Sequence, residues 1–203
     1  MSGNEVPARQ ALRFSTVAAG GDALVFHRGL IARSLMPGVY DIPHPAAQIL
    51  ARVAPVLLAT MDVEILRIGG GTALAARWRH RTSTDIDITV PAASFTEQSE
   101  RLTELLHNDI DIRRLEVMHG WMKGHCDEGE FSIVATNPLL PECNRTPDRE
   151  KMWNIPLESS GEILARKLML RIYANGEFVS RDLYDLVTAA EMEPQALADA
   201  LDT

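Results

Sequence analysis

The chain has 203 residues, enough for one domain with a sizeable core or one domain with a small appendage. A hydrophobic share of 46% and a charged share of 24% are ordinary for a globular protein, and a net charge of −8 argues against a general nucleic-acid coat, which rests on phosphate neutralisation. No apolar run approaches the roughly 18 residues a membrane span needs, the N-terminus is too polar for a secretory signal, and Cys126 and Cys143 match neither a metal spacing nor a disulfide framework, which points to a reducing cytoplasm.

Residues 1–20 read as loosely ordered. Helical spacing follows over 22–36 and again over 43–61, with a bend expected at Pro55. "VEILRI" (63–68) is short and strand-like and runs straight into Gly69-Gly70-Gly71. "TALAARWR" (72–79) carries strong helix formers, and "DIDITV" (85–90) is a β-branched, alternating strand closed by Pro91. An amphipathic helix is expected over 94–108, capped by Ser94 or Thr96. Two or three strands then turn at Gly120 and near Glu128-Gly129, a proline-rich loop occupies 137–152, and "WNIPLE" offers a last short strand. A helix over 160–176 ends at Asn175-Gly176, another begins with Ser180 as cap and runs to 192, and "PQALADAL" finishes the chain. Strands followed by C-terminal helices give an α/β (α+β) fold with a mixed sheet flanked by N- and C-terminal helices. The domain division expected is 1–20 as N-terminus, 21–158 as core and 159–203 as a helical part completing the site.

The order strand, glycine turn, helix, strand brings the turn and the start of the second strand to one end of a sheet. Backbone N–H groups at a glycine turn entering a helix form an anion site. Asp85 and Asp87 share a strand face with Ser83. Two adjacent carboxylates repel unless a divalent ion such as Mg²⁺ or Mn²⁺ sits between them. A phosphate cradle beside a metal pair serves phosphoryl or nucleotidyl transfer. Glycine-glycine, a short helical stretch, then Asp-apolar-Asp-apolar is filled here by Gly70-Gly71 and Asp85-Ile86-Asp87-Ile88.

In the helix after residue 160, apolar residues occupy nearly every direction, so burial is expected, and Lys167 and Arg171 share a stripe between Ile163 and Leu164. A buried lysine needs an anionic partner, and nucleotide phosphate is the reading taken for Lys167. Asp182 and Asp185 follow three apart. The acidic total does not exclude a local basic groove, and Arg77, Arg79, His80 and Arg81 are read as one. Glu116 is a poor candidate for a third metal carboxylate.

The stretch from Gly70-Gly71-Thr72-Ala73-Leu74 through His80-Arg81-Thr82-Ser83-Thr84-Asp85-Ile86-Asp87, with "EILARKL" and "RDLYDL" later, resembles the AbiEii/MenT-type nucleotidyltransferase toxins of the polymerase-β-like nucleotidyltransferase superfamily. The resemblance covers residues 63–90 and 160–187. It implies a polymerase-β-like core and an NTP-using, Mg²⁺- or Mn²⁺-dependent transferase that acts as the toxin of a type IV-like toxin–antitoxin pair. The acceptor implied is the 3′ end of a tRNA, and a cognate antitoxin is the implied partner. Asp85 and Asp87 would hold the metal. Gly70, Gly71, Thr72, Arg81, Lys167 and Asp185 would bind the nucleotide. Ser83, Lys167 and a late aspartate complete the catalytic set, with Asp182 preferred over Asp185. The alternatives are a protein hydroxyl or small molecule as acceptor, or a non-catalytic nucleotide-sensing or antitoxin-like module. The complete Asp-x-Asp plus lysine argues against the last.

Overall fold

The structure, a computed structural model, describes residues 38–141, 148–176 and 179–203. The expected N-terminal segment, the helix over 22–36 and Cys143 lie outside the described residues. In chain order the elements are β1 (Val39–Tyr40), α1 (Ala46–Thr60), β2 (Arg67–Gly69), α2 (Gly70–Trp78), β3 (Ile86–Val90), α3 (Ala92–Asp109), β4 (Arg114–Met118), β5 (Trp121–His125) and β6 (Glu130–Ala135). Then come β7 (Arg149–Glu150), α4 (Ser160–Arg166), a π-helical stretch (Lys167–Tyr173), α5 (Ser180–Met192) and α6 (Pro194–Leu201).

Five strands form one mixed sheet in the order β2-β3-β6-β5-β4, with β3 and β6 parallel and the other neighbours antiparallel. β1 and β7 pair separately. This is the mixed α/β architecture expected. Alternation divides the large sheet into two faces. Ile86, Ile88, Phe131, Ile133 and Met122 are buried and join Ile49, Leu50, Val53 and Leu57 of α1 and Leu102 and Leu106 of α3 in one core. Asp87, Ser132, Lys123 and Glu116 stand in register across β3, β6, β5 and β4 with the opposite parity, and all four are only half-buried. The C-terminal helices close on α2: α4 and α5 each pack against it, and α6 packs against both.

Several local expectations shift. The strand over 63–68 shortens to Arg67–Gly69, because Asp62 accepts the Glu64 N–H and winds Val63–Ile65 into a 3₁₀ turn. Helix α1 continues through Pro55, which lies on its exposed side. Helix α3 begins two residues before Ser94, directly after Pro91, so neither Ser94 nor Thr96 caps it, and Thr96 donates back to the Ala92 carbonyl at 3.0 Å. Val179, not Ser180, occupies the cap position of α5. "WNIPLE" makes only isolated bridges, Ile68 to Leu157 and Arg149 to Pro156, while the loop expected over 137–152 contains β7.

The helix after residue 160 is buried through α4 only. Ser159 caps it, accepting from the Glu162 N–H at 3.3 Å. From Lys167 the turns widen to π geometry, which rotates later residues away from a stripe laid out at 3.6 per turn. Leu170 and Tyr173 are exposed as a result. The stretch ends near Asn175-Gly176 as expected, with Gly176 at φ +65° and its N–H on the Ile172 carbonyl.

Candidate active site

Gly69 pairs with Asp87 across β2 and β3, so the turn into α2 lies beside the start of β3. Each of the three glycines faces a charged side chain. A Cβ on Gly69 would stand 2.5 Å from Glu158 Oε2. One on Gly70 would collide with the Asp87 carboxylate, and one on Gly71 with the Arg81 guanidinium. Gly70 also has φ +60°, a conformation costly for a residue with a Cβ. The turn then presents the opening N–H groups of α2, where the helix dipole adds partial positive charge.

Thr72 and Ser83 fasten the loop between α2 and β3. Their hydroxyls lie 2.6 Å apart, and Thr72 also donates to the Asp85 carbonyl. Both side chains are buried. Asp85 and Asp87 remain half-buried beyond this lock. Ser132 donates to Asp87 Oδ1 at 2.7 Å, and Thr84 donates to Asp85 Oδ1 at 3.1 Å. Among the described residues neither aspartate has a lysine, arginine or histidine within ion-pair distance, whereas Asp148, Glu158, Glu162, Asp182 and Asp185 all do. Nor do the described residues gather three or more His, Cys, Asp or Glu side chains able to hold a metal by themselves. Two hard carboxylates without a protein cation fit a divalent ion of the Mg²⁺ type, which takes one or two protein carboxylates and completes its shell from phosphate and water.

A second constellation runs from the glycine turn to the surface. Arg81, against Gly71, holds Asp185 with both Nε (2.7 Å) and Nη2 (2.9 Å), and His80 Nε2 meets the same carboxylate at 2.7 Å. Lys167 Nζ lies 3.1 Å from Asp185 Oδ2 and also bonds Asp182. Arg171 reaches Asp182 from the other side at 3.3 and 3.4 Å. Burial pushes the Asp185 carboxyl up, but hydrogen bonds from His80 and Arg81 and the charge of Lys167 outweigh it and hold it far below the ordinary carboxylate range. Asp182 is lowered in the same way, burial being outweighed by Lys167 and Arg171. The hydrogen bond to Asp185 raises Arg81 in turn. Both late aspartates are fully buried, and both are consumed in holding cations.

The four basic residues do not form one groove. Arg77 is tied to buried Asp148 at 2.9 Å, and His80 and Arg81 to Asp185. Only Arg79, in the left-handed conformation (φ 53°) that ends α2, is exposed. Charge density in a sequence does not show which cations the fold turns inward to neutralise buried acids. Arg166 is likewise no surface residue: it bridges Glu158 (3.0 Å) and Glu162 (2.8 Å) and bonds Thr136. Glu116 belongs to the far strand, paired with Arg114 and His125.

Sequence reasoning missed Ser132, Glu158 and the role of His80. Ser132 was discoverable, since the period of "EFSIVA" sets it on the polar face of β6. Glu158 and Glu162 with Arg166 at i+4 form an acid-rich run that a helix would draw together. No local signal pairs His80 with Asp185, 105 positions away.

Residues 62–117 match the family model described as nucleotidyl transferase AbiEii toxin, type IV TA system. That segment holds the glycine turn, Ser83, Asp85 and Asp87. No curated protein matches the sequence. Among solved structures, the solution structure of the antibiotic-resistance factor ANT(2'')-Ia is 15% identical with a TM-score of 0.53, covering 75% of this chain and 89% of that one. The crystal structure of ANT(2")-Ia in complex with adenylyl-2"-tobramycin is 13% identical with a TM-score of 0.52, covering 75% and 92%. At these identities the likeness is one of fold, and that fold is a polymerase-β-like nucleotidyltransferase fold. The resemblance read from the motifs is borne out where the family model matches.

Proposed function

We propose that this chain, a nucleotidyltransferase by its fold and by the segment that matches the AbiEii family, is the metal-dependent toxin of a toxin–antitoxin pair and transfers NMP from an NTP to a hydroxyl acceptor. The observation that carries the reading is the contrast among the acids. Asp87, against the glycine turn, and Asp85, two residues before it, have no ion pair among the described residues, while the neighbouring acids have one. Two close carboxylates repel unless a cation sits between them.

Asp85 and Asp87 would hold Mg²⁺ or Mn²⁺, which when bound neutralises charge building on the phosphates. The N–H groups of Gly70, Gly71 and Thr72 cradle phosphate oxygens. Thr72 and Ser83 fix the loop that carries Asp85. Lys167 and Arg81 set positive charge beside the leaving pyrophosphate, and Asp182 and Asp185 act as positioning residues that hold both cations in place. The acceptor hydroxyl loses its proton to water, its oxygen bonds to the α-phosphorus, and the α–β phosphoanhydride bond breaks to release pyrophosphate.

The acceptor proposed from the family resemblance is the 3′ end of a tRNA, with a cognate antitoxin as partner. A small-molecule acceptor is the second reading. The inward turn of Arg77, His80 and Arg81 favours it, as does a fold shared with ANT(2")-Ia, a protein seen with adenylyl-2"-tobramycin. Incubating the protein with each α-labelled NTP, Mg²⁺ and total RNA tests the proposal. Label in the tRNA fraction supports the first reading. Label in soluble small molecules supports the second, and no transfer to any acceptor overturns both.

A further inference from the structure

Arg81, Asp185, Lys167, Asp182 and Arg171 form an alternating ladder of charges, each in contact with the next, that starts against Gly71 and ends at the surface. Three cations face two carboxylates, so the ladder has a surplus of one positive charge. Its rungs are unequal. Arg81 is locked by two short bonds, and Lys167 is buried between two acids. Arg171 is looser: its side chain is 41% exposed, and both bonds to Asp182 are long and come from Nη1 alone. Its Nε and Nη2 have no partner among the described residues. Asp182 is also held by Lys167, so Arg171 is not its only cation. The π-helical geometry that begins at Lys167 is a local irregularity of the kind found at functional sites, and it carries Arg171.

Resting on the nucleotidyltransferase reading, we propose that Arg171 is a nucleotide-binding residue, the outer cation that grips the β- and γ-phosphates of the incoming NTP. The inner end of the ladder lies at the glycine turn, with Arg81 against Gly71 and Asp87 against the neighbouring Gly70. Its outer end is the partly exposed guanidinium of Arg171, so an α-phosphate at the turn would place the outer phosphates along the ladder. A guanidinium with two unused N–H donors suits phosphate oxygens, which it binds in a fork. Arg171 thereby makes the site read triphosphate length, and a nucleoside monophosphate does not reach it.

Calorimetric titration of the full chain with each Mg·NTP, Mg·tripolyphosphate and each NMP tests this, with Arg171→Gln and Arg171→Lys as variants. Arg113→Gln, on the connection into β4, serves as control, and unfolding midpoints confirm that each variant is folded. Arg171→Gln should weaken NTP and tripolyphosphate binding roughly tenfold or more, the size of one charge-assisted contact. It should leave NMP affinity as in wild type, and Arg171→Lys should recover part of the loss. Equal NTP affinity in wild type and Arg171→Gln overturns the proposal, and so does an equal loss of NMP binding. If Arg171→Gln is unfolded, an Arg171→Lys variant that binds NTP and tripolyphosphate as wild type does overturns it. Wild type that binds no NTP and no tripolyphosphate overturns the nucleotidyltransferase reading itself.

Discussion

Gly70 lies directly against the carboxylate of Asp87, in a left-handed backbone conformation (φ +60°) that leaves no room for a Cβ. The glycine turn and the Asp-x-Asp strand are therefore one site. Each needs the other's geometry: the turn can be this tight only because residue 70 has no side chain, and Asp87 can sit over the helix opening only because the turn is this tight.

Gly70→Ala should destabilise the protein by at least about 1–2 kcal/mol from the left-handed backbone alone, and it should displace Asp87. Denaturant unfolding reads the first effect and transfer activity the second. An alanine variant with wild-type stability and activity would mean that the turn is a spacer.

Asp185→Asn removes the partner of three basic groups, His80, Arg81 and Lys167. Breaking a buried pair of this kind costs about 3–5 kcal/mol. The pH dependence has a definite sign. Because the folded-state values of Asp182 and Asp185 lie below the ordinary carboxylate value of 3.8, their contribution is complete above that value and is lost as pH falls through the depressed ones. Acid unfolding of Asp185→Asn should be correspondingly shallower, and an unchanged acid limb would remove Asp185 from the stability account.

Glu158 carries the opposite sign. Burial raises its carboxyl, with the charge of Arg166 opposing and that of Glu162 adding, so the folded chain holds this proton more tightly than the unfolded one. Stability from this group is full below the ordinary value of 4.5 and declines as pH rises through the raised one. Glu158→Gln should therefore equal wild type near pH 4 and exceed it at pH 8 in unfolding midpoint. A variant less stable at pH 8 than at pH 4, relative to wild type, would show that Glu158 is held ionised.

Much of this was legible in the chain. The parity of Asp87 on β3, the glycine turn into α2 and the three strands after residue 113 follow from period-2 alternation and from turn residues, which are local signals. Strand β3 begins at Ile86, however, and leaves Asp85 just before the strand. The partners of the cations were not legible. Arg77, His80 and Arg81 are bound to acids brought from elsewhere in the chain, and helical spacing says nothing about which buried carboxylate waits opposite. The π-helical stretch also escaped, because a 3.6-residue pattern assumes the regular helix that Lys167–Tyr173 abandons.

Any RNA contact of the α2–β3 loop should therefore depend on Arg79 rather than on its neighbours. If RNA binds there, Arg79→Ala should flatten the log K against log[salt] slope by roughly 0.7–0.9, one phosphate contact, without changing stability. Arg77→Ala should instead lower stability by leaving Asp148 unpaired, with the slope unchanged. The reverse pattern would restore the basic groove.

The central claim is that Asp85 and Asp87 make the metal-dependent transfer site, and single-turnover NMP transfer by Asp85→Asn and Asp87→Asn tests it most directly. Each substitution removes one of two neighbouring carboxylates that have no ion pair among the described residues, so both variants should unfold at or above the wild-type midpoint. Both should lose transfer by at least about a hundredfold, the rate equivalent of a lost metal carboxylate. Folded variants that transfer at the wild-type rate would contradict the account.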